Sequence, residues 1–165
     1  MRQVKTKNGV SLGAVMPAVL EDMPEILALQ QLCYQSEAEL HDDFTIPPHI
    51  QTLAEIRVEF SQQKFLKVSS GEMIVGSVRA FQDAGTCHIG HLIVHPDFQN
   101  RGIGTTLLLA IEAQFPNAKR YELFTEHKSV KNLHLYQARG YQIFKTEEVN
   151  AKLKLVFLEK LPNPC

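Results

Sequence analysis

The segment Gln99-Asn100-Arg101-Gly102-Ile103-Gly104 constrains this chain more than any other. An apolar run, His91-Leu92-Ile93-Val94-His95-Pro96, leads into it, and apolar residues at helical spacing follow over 105–115. Proline cannot donate to a sheet ladder, so a strand ends at Pro96. Glycines let backbone N–H groups approach a ligand closely, and the first turn of a helix carries free donors and a partial positive charge. Strand, glycine loop and helix N-terminus in this order make a cradle for a phosphate or pyrophosphate. The same G-x-G spacing also serves ordinary tight turns, so both readings stand until the rest of the chain is weighed.

A chain of 165 residues is long enough to bury a real core and reads as a single domain over 1–165, with a loose polar lead-in over 1–12. The formal net charge of −1 lacks the basic excess that a nucleic-acid or membrane-surface partner requires, so neither is expected. No apolar run approaches the ~20 residues that span a bilayer, and the start Met1-Arg2-Gln3-Val4-Lys5 lacks a signal-peptide core; the cytoplasm is the expected location. Cys33, Cys87 and Cys165 are odd in number and scattered, which suggests neither a disulfide framework nor a metal site.

Periodicity predicts a strand over 14–20, then a helix from Glu21-Asp22-Met23-Pro24 to about residue 40, with Ile26, Leu29, Leu32 and Cys33 on one face. Pro47-Pro48 breaks helix, and a second helix follows over 51–61 with Leu53, Ile56 and Phe60 on one side. Strands over 64–69, 73–81 and 86–95 are separated by hairpin-like turns at Ser70-Gly71-Glu72 and Gln82-Asp83-Ala84-Gly85. After the loop helix come a strand over 121–125, a helix over 129–139 closed by Arg139-Gly140, and strands over 141–147 and 152–161. The result is one α+β, mixed-sheet domain.

The order β-α-α-β-β-β-α-β-α-β-β, with the cradle between the fourth strand and third helix, resembles the Gcn5-related N-acetyltransferase (GNAT) superfamily. Gln99-Asn100-Arg101-Gly102-Ile103-Gly104 is similar to the family's Q/R-x-x-G-x-G/A loop, and Leu135-Tyr136-Gln137-Ala138-Arg139-Gly140-Tyr141 to its L-Y-E-K-x-G-F segment. The resemblance implies a mostly antiparallel sheet of six to seven strands flanked by four helices, splayed between strands 4 and 5. It implies acetyl-CoA as co-substrate and no metal. Carried over, the pyrophosphate falls to Gln99, Asn100, Arg101, Gly102, Ile103, Gly104 and Thr105. The pantetheine arm falls to Ile93 and Val94 beside a bulge in the fourth strand. The family often has asparagine where Ser129 stands; Ser129 also suits a helix N-cap, and Asn132 follows one turn later, so both are cofactor candidates.

Acetyl transfer from a thioester to an amine needs a neutral amine, a polarised carbonyl and a stabilised thiolate. Tyr136 falls on the family's tyrosine beside the CoA sulfur, although a phenol near pKa ~10 suits orienting or stabilising the sulfur as well as donating a proton. His88 falls where family members place a base, a glutamate or a histidine; His91, His127 and water are the alternatives, while His95 reads as structural. The acceptor is a small-molecule or peptide amine, met by Tyr34, Glu37, Asp43, Glu126 and His127, with Glu39 and Asp42 in the same acidic cluster. Exposed strands near the C-terminal end offer a homodimer contact. The leading reading is an acetyl-CoA-dependent N-acetyltransferase; the alternative is a non-catalytic acyl-CoA-binding or sensing module on the same fold.

Overall fold

A computed structural model describes residues 3–5, 11–41 and 51–162. Asp42, Asp43 and Cys165 lie outside the described residues.

The start of the chain corrects the expectation of a loose lead-in. Strand β1 (Gln3–Lys5) pairs antiparallel with β2 (Ser11–Ala14), and Leu12 is fully buried in the main core. Its apolar side chain gains by leaving water, which ties this segment to the sheet. The strand expected over 14–20 is also divided. Only β3 (Met16–Pro17) joins the main sheet, against Lys67 and Leu66. Pro17 has no N–H to extend the ladder, and the Val19 N–H turns instead to the Asp22 carboxylate at 2.8 Å, closing a 3-10 turn over Leu20–Asp22.

Helix α1 (Met23–His41) buries Met23, Ile26 and Leu29, whereas Leu32, expected on that face, is exposed. Helix α2 (Leu53–Gln62) opens with a capping box: Thr52 Oγ1 accepts from the Glu55 N–H at 3.1 Å, and the Glu55 carboxylate accepts from the Thr52 N–H at 3.0 Å. Three antiparallel strands follow, β4 (Lys64–Ser70), β5 (Met73–Asp83) and β6 (Thr86–Val94). Then come α3 (Ile103–Ala113), β7 (Arg120–Glu126), α4 (Val130–Ala138), β8 (Gln142–Glu148) and β9 (Lys154–Lys160).

The main sheet has seven strands in the order β3-β4-β5-β6-β7-β9-β8, and every neighbouring pair is antiparallel except β6–β7. With the four helices this is the expected α+β mixed sheet. Alternation along β4 and β5 sends Leu66, Val68 and Val75 into one core with α3 and α4, and Phe65 and Ile74 into a second with α1 and α2.

Two irregularities in β6 position the site. Its parallel pairing with β7 runs only from Thr86↔Arg120 to His88↔Glu122, after which the strands part. Its register against β5 jumps from Arg79↔Gly90 to Ser77↔Ile93, so His91 and Leu92 both stand opposite Val78. His91 adopts φ +47° there, the mark of a bulge that re-aims the strand.

Candidate active site

Beyond the bulge, β6 runs to Val94 and turns through Pro96–Phe98 into α3. His95 holds the turn: its N–H donates to the Val75 carbonyl at 2.8 Å, its Nδ1 accepts from the Asp97 N–H at 3.1 Å, and its ring meets Phe98 edge-on. It is structural, as expected. Gly102 then takes φ +83°, a left-handed conformation that glycine adopts without a Cβ clash. The first helical hydrogen bond of α3 runs from the Thr106 N–H to the Gly102 carbonyl at 3.0 Å; among the described residues nothing accepts from the N–H groups of Ile103, Gly104 or Thr105. A Cβ added to Gly102 would meet nothing within 4 Å. Open donors at a helix start with clear space above them are the physical form of an anion cradle.

That space belongs to a cavity of about 400 Å³. Ile93, Val94, Gln99, Asn100, Gly102, Ile103, Gly104, Thr105, Ser129 and Asn132, ten of the residues expected around the carrier, line it together. Arg101 does not: its guanidinium stands over the Phe98 ring at 5.2 Å, outside the lining. The cavity also takes in Lys128 and Lys131, which no motif singles out but which bring positive charge to an anion site. The Val94 carbonyl accepts from Gln99 Nε2 at 3.2 Å and from Cys33 Sγ at 3.3 Å, so helix α1 helps fix the end of β6. Burial, with Glu37 nearby, pushes the Cys33 thiol up to about 11 and keeps it neutral.

Ser129 corrects one expectation. It occupies the N-cap position of α4, but its hydroxyl makes no cap bond and donates instead to the Glu37 carboxylate. Glu37, expected among acceptor contacts, therefore ties α1 to α4 at the edge of the first cavity. Tyr136 stands outside the lining and is 5% exposed. Its hydroxyl has no hydrogen-bond partner among the described residues. Because no fully buried side-chain oxygen among the described residues lacks a partner, that hydroxyl keeps contact with solvent. Burial first, and the Glu37 charge second, raise its pKa above the ordinary phenol range, so it stays protonated.

His88 lies beside a second cavity, of about 280 Å³, lined by His88, Ile89, Gly90 and His91 of β6 together with Phe81, Glu122, Phe124 and Phe157. The two cavities occupy successive lengths of one strand, residues 88–91 and 92–94, on either side of the bulge. The His88 ring stacks on Phe81 at 4.9 Å between centroids, and its Nδ1 lies 3.4 Å from the Glu122 carboxylate. Glu122 also accepts from Arg120 Nη1 at 2.9 Å. Sequence periodicity gives no sign of Glu122, since its meeting with His88 depends on the β6–β7 register. Tyr34, Glu126 and His127 line neither cavity, and His127 Nδ1 lies 3.1 Å from the Lys154 carbonyl. Among the described residues, no group of three or more His, Cys, Asp or Glu could hold a metal ion, and no helix is long and apolar enough to cross a membrane.

A parallel strand pair that opens beside a helix N-terminus with free donors is shaped for an extended ligand that carries an anionic group such as a phosphate. The acetyltransferase (GNAT) family model matches residues 23–141, and the chain belongs to that family. A curated relative, the UPF0157 protein YqkA of Bacillus subtilis, is 28% identical over 127 residues, 77% of this chain and 36% of the relative. The chain thus spans about a third of the length of the curated relative it matches. Similar solved structures include the PaiA N-acetyltransferase of Thermoplasma acidophilum in complex with coenzyme A (TM-score 0.76, 14% identity, covering 92% of this chain and 99% of that one). Another is a GNAT-family acetyltransferase of Streptococcus pneumoniae (TM-score 0.70, 22% identity, covering 92% and 99%). A third is the ribosomal-protein-alanine N-acetyltransferase of Brucella melitensis (TM-score 0.72, 18% identity, covering 91% and 100%).

Proposed function

We propose that this chain binds acetyl-CoA with its pyrophosphate on the N-terminus of α3 and its pantetheine arm along the parted end of β6, and passes the acetyl group to a primary amine arriving from the second cavity. The observation that carries this reading is the row of open N–H groups at Ile103, Gly104 and Thr105, facing a cavity that continues along Ile93 and Val94. Backbone groups freed where β6 leaves β7 suit the amides of an extended arm, which docks much as an added strand does.

In the transfer, the amine nitrogen forms a C–N bond to the acetyl carbonyl carbon as the C–S bond breaks. The nitrogen must first lose a proton, and His88, whose Nδ1 lies 3.4 Å from the Glu122 carboxylate, accepts it. The sulfur leaves as a thiolate. A thiol has a reference pKa of ~8.5, below that of an ordinary phenol and further below that of Tyr136, so proton transfer from Tyr136 runs uphill. Tyr136 therefore acts as a hydrogen-bond donor that steadies the leaving sulfur, and the second proton, which the nitrogen sheds as the C–N bond forms, reaches the thiolate through solvent.

Calorimetric titration with acetyl-CoA, together with thiol detection of CoA release in the presence of primary amines, tests the reading. Saturable binding and amine-dependent release are expected. Absence of acetyl-CoA binding overturns the cradle assignment, and binding without release for any amine favours the sensing module.

A further inference from the structure

From the second cavity we infer that the acceptor is a small primary amine bearing one positive charge and an aromatic or bulky apolar body, rather than a polyamine or a peptide N-terminus; this rests on the transfer reading above. Three phenylalanines form most of the apolar wall. Phe81 and Phe124 are 39% and 55% exposed, and Phe157 lies 5.4 Å from Phe124 between ring centroids. They come from three strands, β5, β7 and β9, and converge where β6 and β7 begin to part. Exposed aromatic faces beside a cavity retain contact area that an apolar ring can cover.

The charges narrow the class further. The cavity contains two carboxylates, and each already has an arginine partner: Glu59 pairs with Arg79 at 2.6 Å and Glu122 with Arg120 at 2.9 Å. Arg79 is itself buried and lines the same cavity. Arg120 also pairs with Glu159 at 2.7 Å, so these three carboxylates share two guanidinium groups and one negative charge is left over; a polyamine would bring several cations to that single charge and leave the rest desolvated without partners. One ammonium can be met by the Glu122 carboxylate that faces His88, and it loses its charge when His88 takes the proton. The volume of about 280 Å³ sits just below the ~300 Å³ lower end of drug-sized pockets, which suits a single ring and short chain better than a peptide segment.

The test compares 2-phenylethylamine, spermidine and an alanyl dipeptide on the full chain with saturating acetyl-CoA, reading CoA release and, separately, amide shifts of residues 88–91 and 124 by NMR. Phenylethylamine is expected to shift those amides and to show kcat/KM at least tenfold above the other two. Phe124→Ser should lower that kcat/KM at least tenfold while leaving the KM for acetyl-CoA unchanged. Val58→Ser, a similarly exposed apolar change on α2 outside both cavities, should leave both constants alone. Higher efficiency with spermidine or the dipeptide, or turnover of phenylethylamine indifferent to Phe124→Ser, overturns the inference and leaves the transfer reading standing. Phe124-dependent shifts without CoA release from any amine overturn the transfer reading and retain the pocket chemistry; neither binding nor release overturns both.

Discussion

Gly102→Ala separates the cost of a strained backbone from the cost of a blocked site. Gly102 sits at φ +83° and Gly71, in the β4–β5 turn, at φ +60°; an added Cβ would meet nothing within 4 Å at either position. Steric cost inside the protein is therefore absent in both cases, and only the left-handed conformation is penalised. That penalty is roughly 1–2 kcal/mol for an L-residue, partly offset by about 0.4–1 kcal/mol from the stiffer unfolded chain. Each variant should lose about 1 kcal/mol of stability, a fall of ~2–4 °C in Tm for a chain of this size. Circular dichroism melts read this directly. The two variants differ in what the new methyl faces. At Gly102 it enters the space above the open N–H groups of Ile103, Gly104 and Thr105; at Gly71 it faces solvent on a turn that lines neither cavity. Hydrogen bonds to a charged group contribute about 1.5–3 kcal/mol each, so displacing the pyrophosphate from one of them should raise the Kd for acetyl-CoA on the order of 10- to 100-fold. Calorimetry should find that weakening in Gly102→Ala and an unchanged Kd in Gly71→Ala. Equal stability losses with unchanged affinity in both would refute the cradle, because the methyl would then occupy space the ligand does not use.

Three further outcomes follow from the packing around the site. Tyr136→Phe should lower kcat about tenfold or more with the acetyl-CoA Kd within twofold, and should leave the melting curve nearly in place because the hydroxyl has no partner among the described residues; an unchanged kcat removes Tyr136 from the chemistry. Glu112 accepts from the Tyr141 hydroxyl at 2.7 Å and from Lys160 Nζ at 2.8 Å while only 8% exposed. Glu112→Ala strands both partners and should cost about 3 kcal/mol in urea denaturation, and a loss under 1 kcal/mol would show that the cluster is solvated. Burial raises the Cys33 thiol from 9.0 to about 11 and the Cys87 thiol from 9.0 to about 12. Below pH 9 both states hold these protons; above it the unfolded chain releases them while the folded chain keeps them, so stability should fall as pH rises from 9 towards 11. Urea midpoints at pH 8, 9 and 10 measure the slope, which Cys87→Ala should reduce.

The parts of this molecule legible in its sequence are those fixed by local backbone chemistry. The Gly102 turn and the β4–β5–β6 meander each follow from residues within a few positions of one another. Where the expectation and the fold part company, a distant contact has won. Leu12 is held by a core formed from β4, β5, β6 and α3, not by its polar neighbours. Ser129 gives up a cap for Glu37, ninety-two positions away. Gly76 shows the same limit from another side: an added Cβ would come within 2.9 Å of Ile103 Cγ2 and 3.0 Å of Leu107 Cδ1, so the glycine is what lets α3 lie close on β5. Nothing in its neighbours Val75 and Ser77 announces that role.

The two cavities differ for the same reason. Most of the first cavity comes from one continuous stretch, residues 92–105, in which strand, loop and helix start are successive. A ligand bound by backbone donors leaves its mark in the few residues that shape the backbone, and glycine and proline are the most readable of these. The second cavity is instead assembled from side chains on α2, β5, β6, β7 and β9, set side by side through registers such as His88↔Glu122 and Phe124↔Phe157. The exposed ones, Phe81 and Phe124, can change with little disturbance to their strands, because a strand accepts a wide range of residues on a half-open face. The bulge at His91 and Leu92 falls between the two cavities on β6, one framed largely by a strand end, a loop and a helix start, the other by side chains from five elements.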